Sequence, residues 1–188
     1  HLPDKGPQPT FYMAGPAVKP GVVLDKGCLI DEAPTWAAVL GDPEVMYAYE
    51  HGFSGDEVRL WLDRQQERYD KYGFGLWAAV ERASGELIGD CGITMQDWNG
   101  RGVPEIGYHL RRDKWHQGYA AEAARACREY DFTALGFPEV YSIIRDTNFP
   151  SQRVALRSGM AVRGSFVKHY RGIAMPHLVF SVKRGCAG

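Results

Sequence analysis

The 188-residue chain has little that would mark it for many common protein classes. It has four cysteines, Cys28, Cys91, Cys127 and Cys186. None forms a C-x-x-C pair, and none lies at metal-ligand spacing from a histidine, so a zinc site or disulfide framework is not expected. Cys91 and Cys127 fall in apolar patterns and read as buried thiols, consistent with a reducing, cytoplasmic setting. There is no surplus of either charge: 22 basic against 23 acidic residues, a formal net charge of -1. With no basic stripe carrying interleaved aromatics, neither nucleic acid nor a membrane surface is an expected partner. No apolar run is long enough to span a bilayer, and no signal peptide is expected. The dinucleotide fingerprint G-x-G-x-x-G and the phosphate loop ending in Gly-Lys-Ser/Thr are both absent, which argues against Rossmann cofactors and ATP hydrolysis.

What is present is ordinary globular composition, 45% hydrophobic and 24% charged, at a length that suits one domain. Residues 1–22, beginning at His1 and dotted with Pro and Gly, read as an extended lead-in or a tag remnant, and 23–185 as a single domain. A short first strand is expected at Gly27–Asp31. Pro34–Glu50 is helical in part, broken by Gly41-Asp42-Pro43. Ser54 and Glu57 form a capping box ahead of Val58, Trp61, Leu62, Gln65 and Tyr69 at helical spacing, and that helix stops at Gly73. Strands follow at Leu76–Val80, Leu87–Ile93 and Pro104–Arg111. A helix is expected over Gln117–Leu135, its inner stripe being Ala120, Ala123, Ala124, Cys127 and Tyr130, with Gly136 ending it. The remaining elements are a strand at Val140–Arg145, a helix at Pro150–Ser158, and strands at Met160–Lys168 and Leu178–Lys183. This order is α+β, or mixed α/β, with a central antiparallel meander and later crossovers.

The stretch Tyr108–Ala126, YHLRRDKWHQGYAAEAARA, carries the clearest chemistry. A strand ends in the basic residues Arg111, Arg112 and Lys114. A single glycine, Gly118, and small residues then open a long helix. Helix N-termini present free N–H groups and a positive dipole end to phosphates. By itself this is equally a capped surface turn.

The run Trp115-His116-Gln117-Gly118-Tyr119-Ala120 resembles motif A of the GCN5-related (GNAT) N-acetyltransferases, Gln/Arg-x-x-Gly-x-Gly/Ala. Trp115 stands where the motif has Gln or Arg, as in the RimJ/RimL-like ribosomal-protein N-terminal acetyltransferase branch. Asn148-Phe149-Pro150-Ser151 with Val154-Ala155 and Ser158-Gly159-Met160, Asp42-Pro43-Glu44-Val45-Met46, and Glu105-Ile106-Gly107-Tyr108 resemble three further segments of that branch, in the correct order. The resemblance implies a GNAT fold, a mixed, mostly antiparallel sheet of about seven strands flanked by about four helices. It implies acetyl-CoA as cosubstrate, no metal, and direct acetyl transfer to a primary amine, with a protein N-terminal α-amine as the leading acceptor. A small-molecule amine (antibiotic, polyamine or amino acid) and a non-catalytic acyl-CoA-binding module are the alternatives. A monomer or homodimer is implied.

Carried over residue by residue, Tyr108, His109 and Leu110 would offer backbone to the pantetheine arm. Arg111, Arg112 and the loop Trp115, His116, Gln117, Gly118, Tyr119 and Ala120 would hold the pyrophosphate, and Asn148 would touch the pantetheine. Glu105 would be the base, directly or through water. Ala155 stands where many of these enzymes have the tyrosine that protonates the leaving thiolate. Ser151 is then the expected acid, with Tyr170 and Tyr119 behind it. Tyr49, Glu50, His51 and Tyr170, near Tyr47 and His169, would wall the acceptor site.

Overall fold

The computed structural model describes residues 22–25, 33–170 and 172–185. The strand expected at Gly27–Asp31 lies outside them, as do nearly all of the lead-in, Cys28 and Cys186. The described residues form β1 (Val22–Asp25), α1 (Ala33–Leu40), a 3-10 turn (Tyr47–Tyr49), α2 (Gly55–Tyr72), β2 (Leu76–Glu81), β3 (Leu87–Trp98) and β4 (Arg101–Leu110). A second 3-10 turn (Arg112–Lys114) precedes α3 (Tyr119–Tyr130), and a π turn (Asp131–Leu135) follows it. Then come β5 (Glu139–Arg145), α4 (Phe149–Arg157), β6 (Ala161–Tyr170) and β7 (Ile173–Lys183).

The strands make one seven-stranded sheet in the order β1-β2-β3-β4-β5-β7-β6. Every neighbouring pair is antiparallel except β4 and β5. Those two run parallel and share a single register pair, Glu105 with Tyr141. Helices cover both faces. On one face Cys91, Ile93, Ile106 and Leu110 pack with Ala123, Ala124 and Cys127 of α3. On the other, Trp36, Val39 and Leu40 of α1 and Val58 of α2 pack on Ala78 and Leu87. Each such buried aliphatic or aromatic side chain stabilises the fold by roughly 1.5–3 kcal/mol.

Local signals act where they were read. Ser54 Oγ accepts from the Glu57 amide at 3.3 Å while Glu57 Oε2 accepts from the Ser54 amide at 2.9 Å, so both halves of the capping box form. Gly73, at φ 77, closes α2. Five elements differ from expectation, in three places. β3 and β4 run on to Trp98 and back from Arg101, because Asn99 (φ 55) and Gly100 (φ 72) build a two-residue turn of the kind that joins hairpin strands. α3 starts at Tyr119 rather than Gln117 and hands over to the π turn before Leu135. In its first turn the fully covered alanine is Ala121, with Ala120 only half-buried. Finally, β6 and β7 extend to Tyr170 and back to Ile173, closing as one hairpin.

Among the described residues no helix is long and apolar enough to cross a membrane. No cluster of three His, Cys, Asp or Glu side chains there could hold a metal.

Candidate active site

The site begins where β4 leaves β5. After the Glu105–Tyr141 pair the two strands diverge, leaving the β4 backbone from Ile106 to Leu110 without a ladder partner on that side. Two side chains bridge the start of the gap. Glu105 Oε1 accepts from the Ile143 amide at 3.0 Å, and Ser142 Oγ donates to the Ile106 carbonyl at 3.0 Å. Farther along, Tyr108 Oη donates to the Ser151 carbonyl at 2.9 Å, tying β4 to the first turn of α4. Unpaired strand backbone of this kind can pair with an extended amide-bearing ligand.

The loop after β4 leads to the mouth of α3. Trp115 Nε1 donates to the Leu110 carbonyl at 2.8 Å and folds the loop back on the strand end. His116 (φ 61) and Gly118 (φ 92) adopt left-handed backbone, and α3 has no side-chain cap. A Cβ on Gly118 would meet nothing within 4 Å, so the space over the first amides of α3 is open. The side chains around this mouth are already paired. Arg111 donates to both oxygens of Asp113, at 3.0 and 2.8 Å. Arg112 Nε lies 3.8 Å from Asp42, and Lys114 is 2.8 Å from Glu81. Tyr119 Oη also donates to Glu81, at 2.6 Å. The groups left to face an anion are chiefly the amides of Gln117 to Ala120, with exposed His116 beside them and Arg112, only loosely held by Asp42, within the same surface.

Asn148 caps α4, its Oδ1 accepting from the Ser151 amide at 3.1 Å, which leaves its Nδ2 to donate elsewhere. Burial raises the pKa of the Tyr108 hydroxyl, and a side-chain hydrogen bond with Ser151 partly counters it, so the Ser151 hydroxyl lies against that of Tyr108. Glu105 and Ser151 lie on opposite faces of β4: Glu105 shares a face with Gly107 and His109, whereas Ser151 meets Tyr108. The widening gap between β4 and β5 is the passage between them.

The Glu105 face forms a recess. Burial raises the pKa of the Glu105 carboxyl, only partly countered by Lys168, the Ile143 amide, Arg68 and Thr94. Tyr49, 40% exposed, sets its ring centroid 5.8 Å from that of His109 at the recess wall, and burial, then Glu105 and Asp90, raise its hydroxyl's pKa. Tyr170 is half-buried and acts on Tyr49 electrostatically. The other expected acceptor residues are drawn into structure. Glu50 accepts a hydrogen bond from Arg145, and His51 Nε2 sits 3.0 Å from Glu57. His169 alternates outward and is exposed.

Three recess residues were not singled out in the sequence: Asp90, Arg68 and Lys168. Arg68 donates to the buried Gln65 at 2.9 Å, and burial lowers its pKa. Asp90 was visible as an acid inside an apolar strand; its partner across the sheet was not.

A profile of the acetyltransferase (GNAT) domain matches residues 29–161. The chain belongs to the GNAT family of acetyltransferases, enzymes that use acetyl-CoA. It is 36% identical over 145 residues to the Bacillus subtilis protein YkkB, covering 77% of this chain and 84% of that one. It is 31% identical over 147 residues to an Aspergillus fumigatus protein named FsC-acetyl coenzyme A-N(2)-transacetylase, covering 69% of this chain and 58% of that one. Its fold matches RimL, a ribosomal L7/L12 alpha-N-protein acetyltransferase solved with coenzyme A, with a TM-score of 0.71 at 13% identity, over 90% of this chain and 97% of that one.

Proposed function

We propose that this N-acetyltransferase moves the acetyl group of acetyl-CoA directly onto a primary amine, with a protein N-terminal α-amine as its leading acceptor. The observation that carries the reading is the divergence of β4 from β5 at Glu105, with the uncapped end of α3 beyond it. The residues present fit the cosubstrate: free strand backbone for the amides of its arm, and open, unshared N–H groups over Gly118 for its pyrophosphate. When bound, acetyl-CoA supplies an acyl thioester.

The protein does the rest. The backbone of Tyr108 and the Leu110 N–H pair with the arm, because His109 turns its carbonyl to β3 and the Leu110 carbonyl holds Trp115, and Asn148 Nδ2 steadies it. Amides from Gln117 to Ala120 hold the phosphates, and Trp115 keeps the loop in place. Glu105 attracts the acceptor ammonium and draws off its proton, directly or through a water; burial, by raising its carboxyl's pKa, makes it a better base. Ser151 Oγ supplies the proton to the departing thiolate. Tyr49 and Tyr170 wall the amine's approach, and holding both partners in place supplies much of the acceleration. A small-molecule amine is the second reading; the Aspergillus relative is named for transfer to an N(2) nitrogen, with no protein acceptor in the name.

The test is thiol release from acetyl-CoA with a panel of amines: peptides with free N-termini, a polyamine, an aminoglycoside and free amino acids. Turnover on a peptide with a free N-terminus is expected. Glu105→Gln should lower kcat by roughly 100-fold without changing acetyl-CoA affinity. Tight acetyl-CoA binding with no thiol release on any amine would instead make the protein an acyl-CoA-binding module.

A further inference from the structure

Opposite residues of β3 and β4 form a ladder on the recess face. Asp90 faces His109, Gly92 faces Gly107, and Thr94 faces Glu105. The middle rung carries no side chain. A Cβ on Gly107 would come within 4 Å of one atom only, Leu76 Cδ2, so a bare strip of strand separates Glu105 from His109.

The Asp90–His109 rung is built. Asp90 has no exposed surface and lies inside an apolar strand, where an unpaired carboxylate is strongly disfavoured. Its partner is the His109 imidazole, whose Nδ1 lies 3.1 and 3.0 Å from the two carboxylate oxygens. An irregularity in the β2–β3 ladder sits just before it. There the register slips at Ala79/Val80, and Gly89 (φ 150) lets the strands close to where a Cβ would be 2.0 Å from the His109 carbonyl oxygen. Bulges of this kind re-aim side chains beside active sites.

A carboxylate can only accept, so Asp90 holds the proton on Nδ1 and leaves the lone pair of the neutral ring on Nε2. Nε2 makes no hydrogen bond to the described residues. The side chain is 13% exposed, and its ring centroid is 5.8 Å from that of Tyr49 on the recess wall. Glu105, at the other end of the strip, has already committed Oε1 to the Ile143 amide.

We infer that His109 Nε2, oriented by Asp90, is the group on which the acceptor's ammonium proton finally leaves, with Glu105 drawing the ammonium onto the bare strip at Gly107. The inference rests on the acetyl-transfer reading and refines its base. The ammonium gives one proton to Nε2, and the resulting imidazolium is neutralised by Asp90. The nitrogen–carbon bond forms and the carbon–sulfur bond breaks. The nitrogen's second proton balances the one that the thiolate gains. His109 returns its proton to solvent through its exposed edge. His109 is thus a catalytic residue and Asp90 a positioning residue.

The charged and titratable groups facing this centre are Asp90 from β3, Glu105 from β4, Tyr49 from the 3-10 turn, Arg68 from α2, and Lys168 and Tyr170 from β6. Burial alone would lower the imidazole's pKa. The charge and hydrogen bond of Asp90, with a smaller push from Glu105, leave it raised above its ordinary value.

The test is the pH profile of kcat/KM on the best amine of the panel. The wild type should show an acid limb. In His109→Gln that limb should disappear and the rate at pH 8 should fall on the order of 100-fold. In Asp90→Asn the limb should move to lower pH, and in Glu105→Gln it should persist. Acetyl-CoA affinity should hold in all three. Should Asp90→Asn fail to fold, nitrogen NMR of the wild-type imidazole stands in for it, and the neutral ring should carry its proton on Nδ1. A limb retained at full rate in His109→Gln, or a proton on Nε2, overturns the assignment while leaving the acetyl-transfer reading intact. No turnover by the wild type on any amine removes both.

Discussion

Gly118 shows how much one residue can carry here. Its φ of 92 suits glycine, and the space beside it is open to solvent. Gly118→Ala should therefore cost about 1 kcal/mol of stability through backbone strain alone. The added methyl would also stand over the α3 amides, and acetyl-CoA affinity by calorimetry should fall at least tenfold; an unchanged Kd would place the phosphates elsewhere. Tyr108→Phe removes only the hydroxyl that ties β4 to Ser151, and urea denaturation should show a loss of about 1 kcal/mol. The motif around Gly118 was legible as a motif because the whole pattern is local, six neighbours along the chain. Asp90 was not. An acid within Leu87–Ile93 declares a need for a partner, but the partner is 19 residues on, and only the register of β3 against β4 identifies it as His109. The paired state of Arg111 was equally hidden, since Asp113 beside it reads as an ordinary loop acid.

At the scale of elements, local chemistry explains what could be read. α2 carries both its start and its stop, Ser54 with Glu57 and then Gly73. Ser54→Ala should lower stability by about 1 kcal/mol, measured as a fall in Tm, with no effect on acetyl-CoA affinity. Gly136 likewise ends the stretch begun at Tyr119. The far half of the β3–β4 hairpin escaped because Gln96, Asp97 and Arg101 break the apolar alternation, although Asn99-Gly100 is a strong hairpin signal on its own. The divergence of β4 from β5 has no local signature at all. It arises because β5 pairs β7 over its whole length while meeting β4 at one point.

At the scale of the molecule, one buried acid among the described residues has no hydrogen-bond partner. Asp131 has no exposed surface, and neither carboxylate oxygen has a hydrogen bond. Burial lifts its pKa to about 7, against a small opposing pull from Arg184. A folded pKa above the unfolded one favours folding at low pH. The stabilisation is full below the unfolded value of 3.8, is lost as pH rises from there toward 7, and stays lost above it. Asp131→Asn removes the ionisation, so its stability advantage over the wild type should be greater at pH 8 than at pH 5 by about 2 kcal/mol, read from urea denaturation at the two pH values. The central claim is that the mouth of α3 and the open edge of β4 together hold acetyl-CoA. Thermal unfolding of the wild-type protein with acetyl-CoA, set against NAD and ATP at equal concentration, tests it most directly. Near a hundredfold excess over Kd, acetyl-CoA alone should add roughly 2.7 kcal/mol and raise Tm by several degrees. No shift with acetyl-CoA, or an equal shift with all three nucleotides, would contradict it.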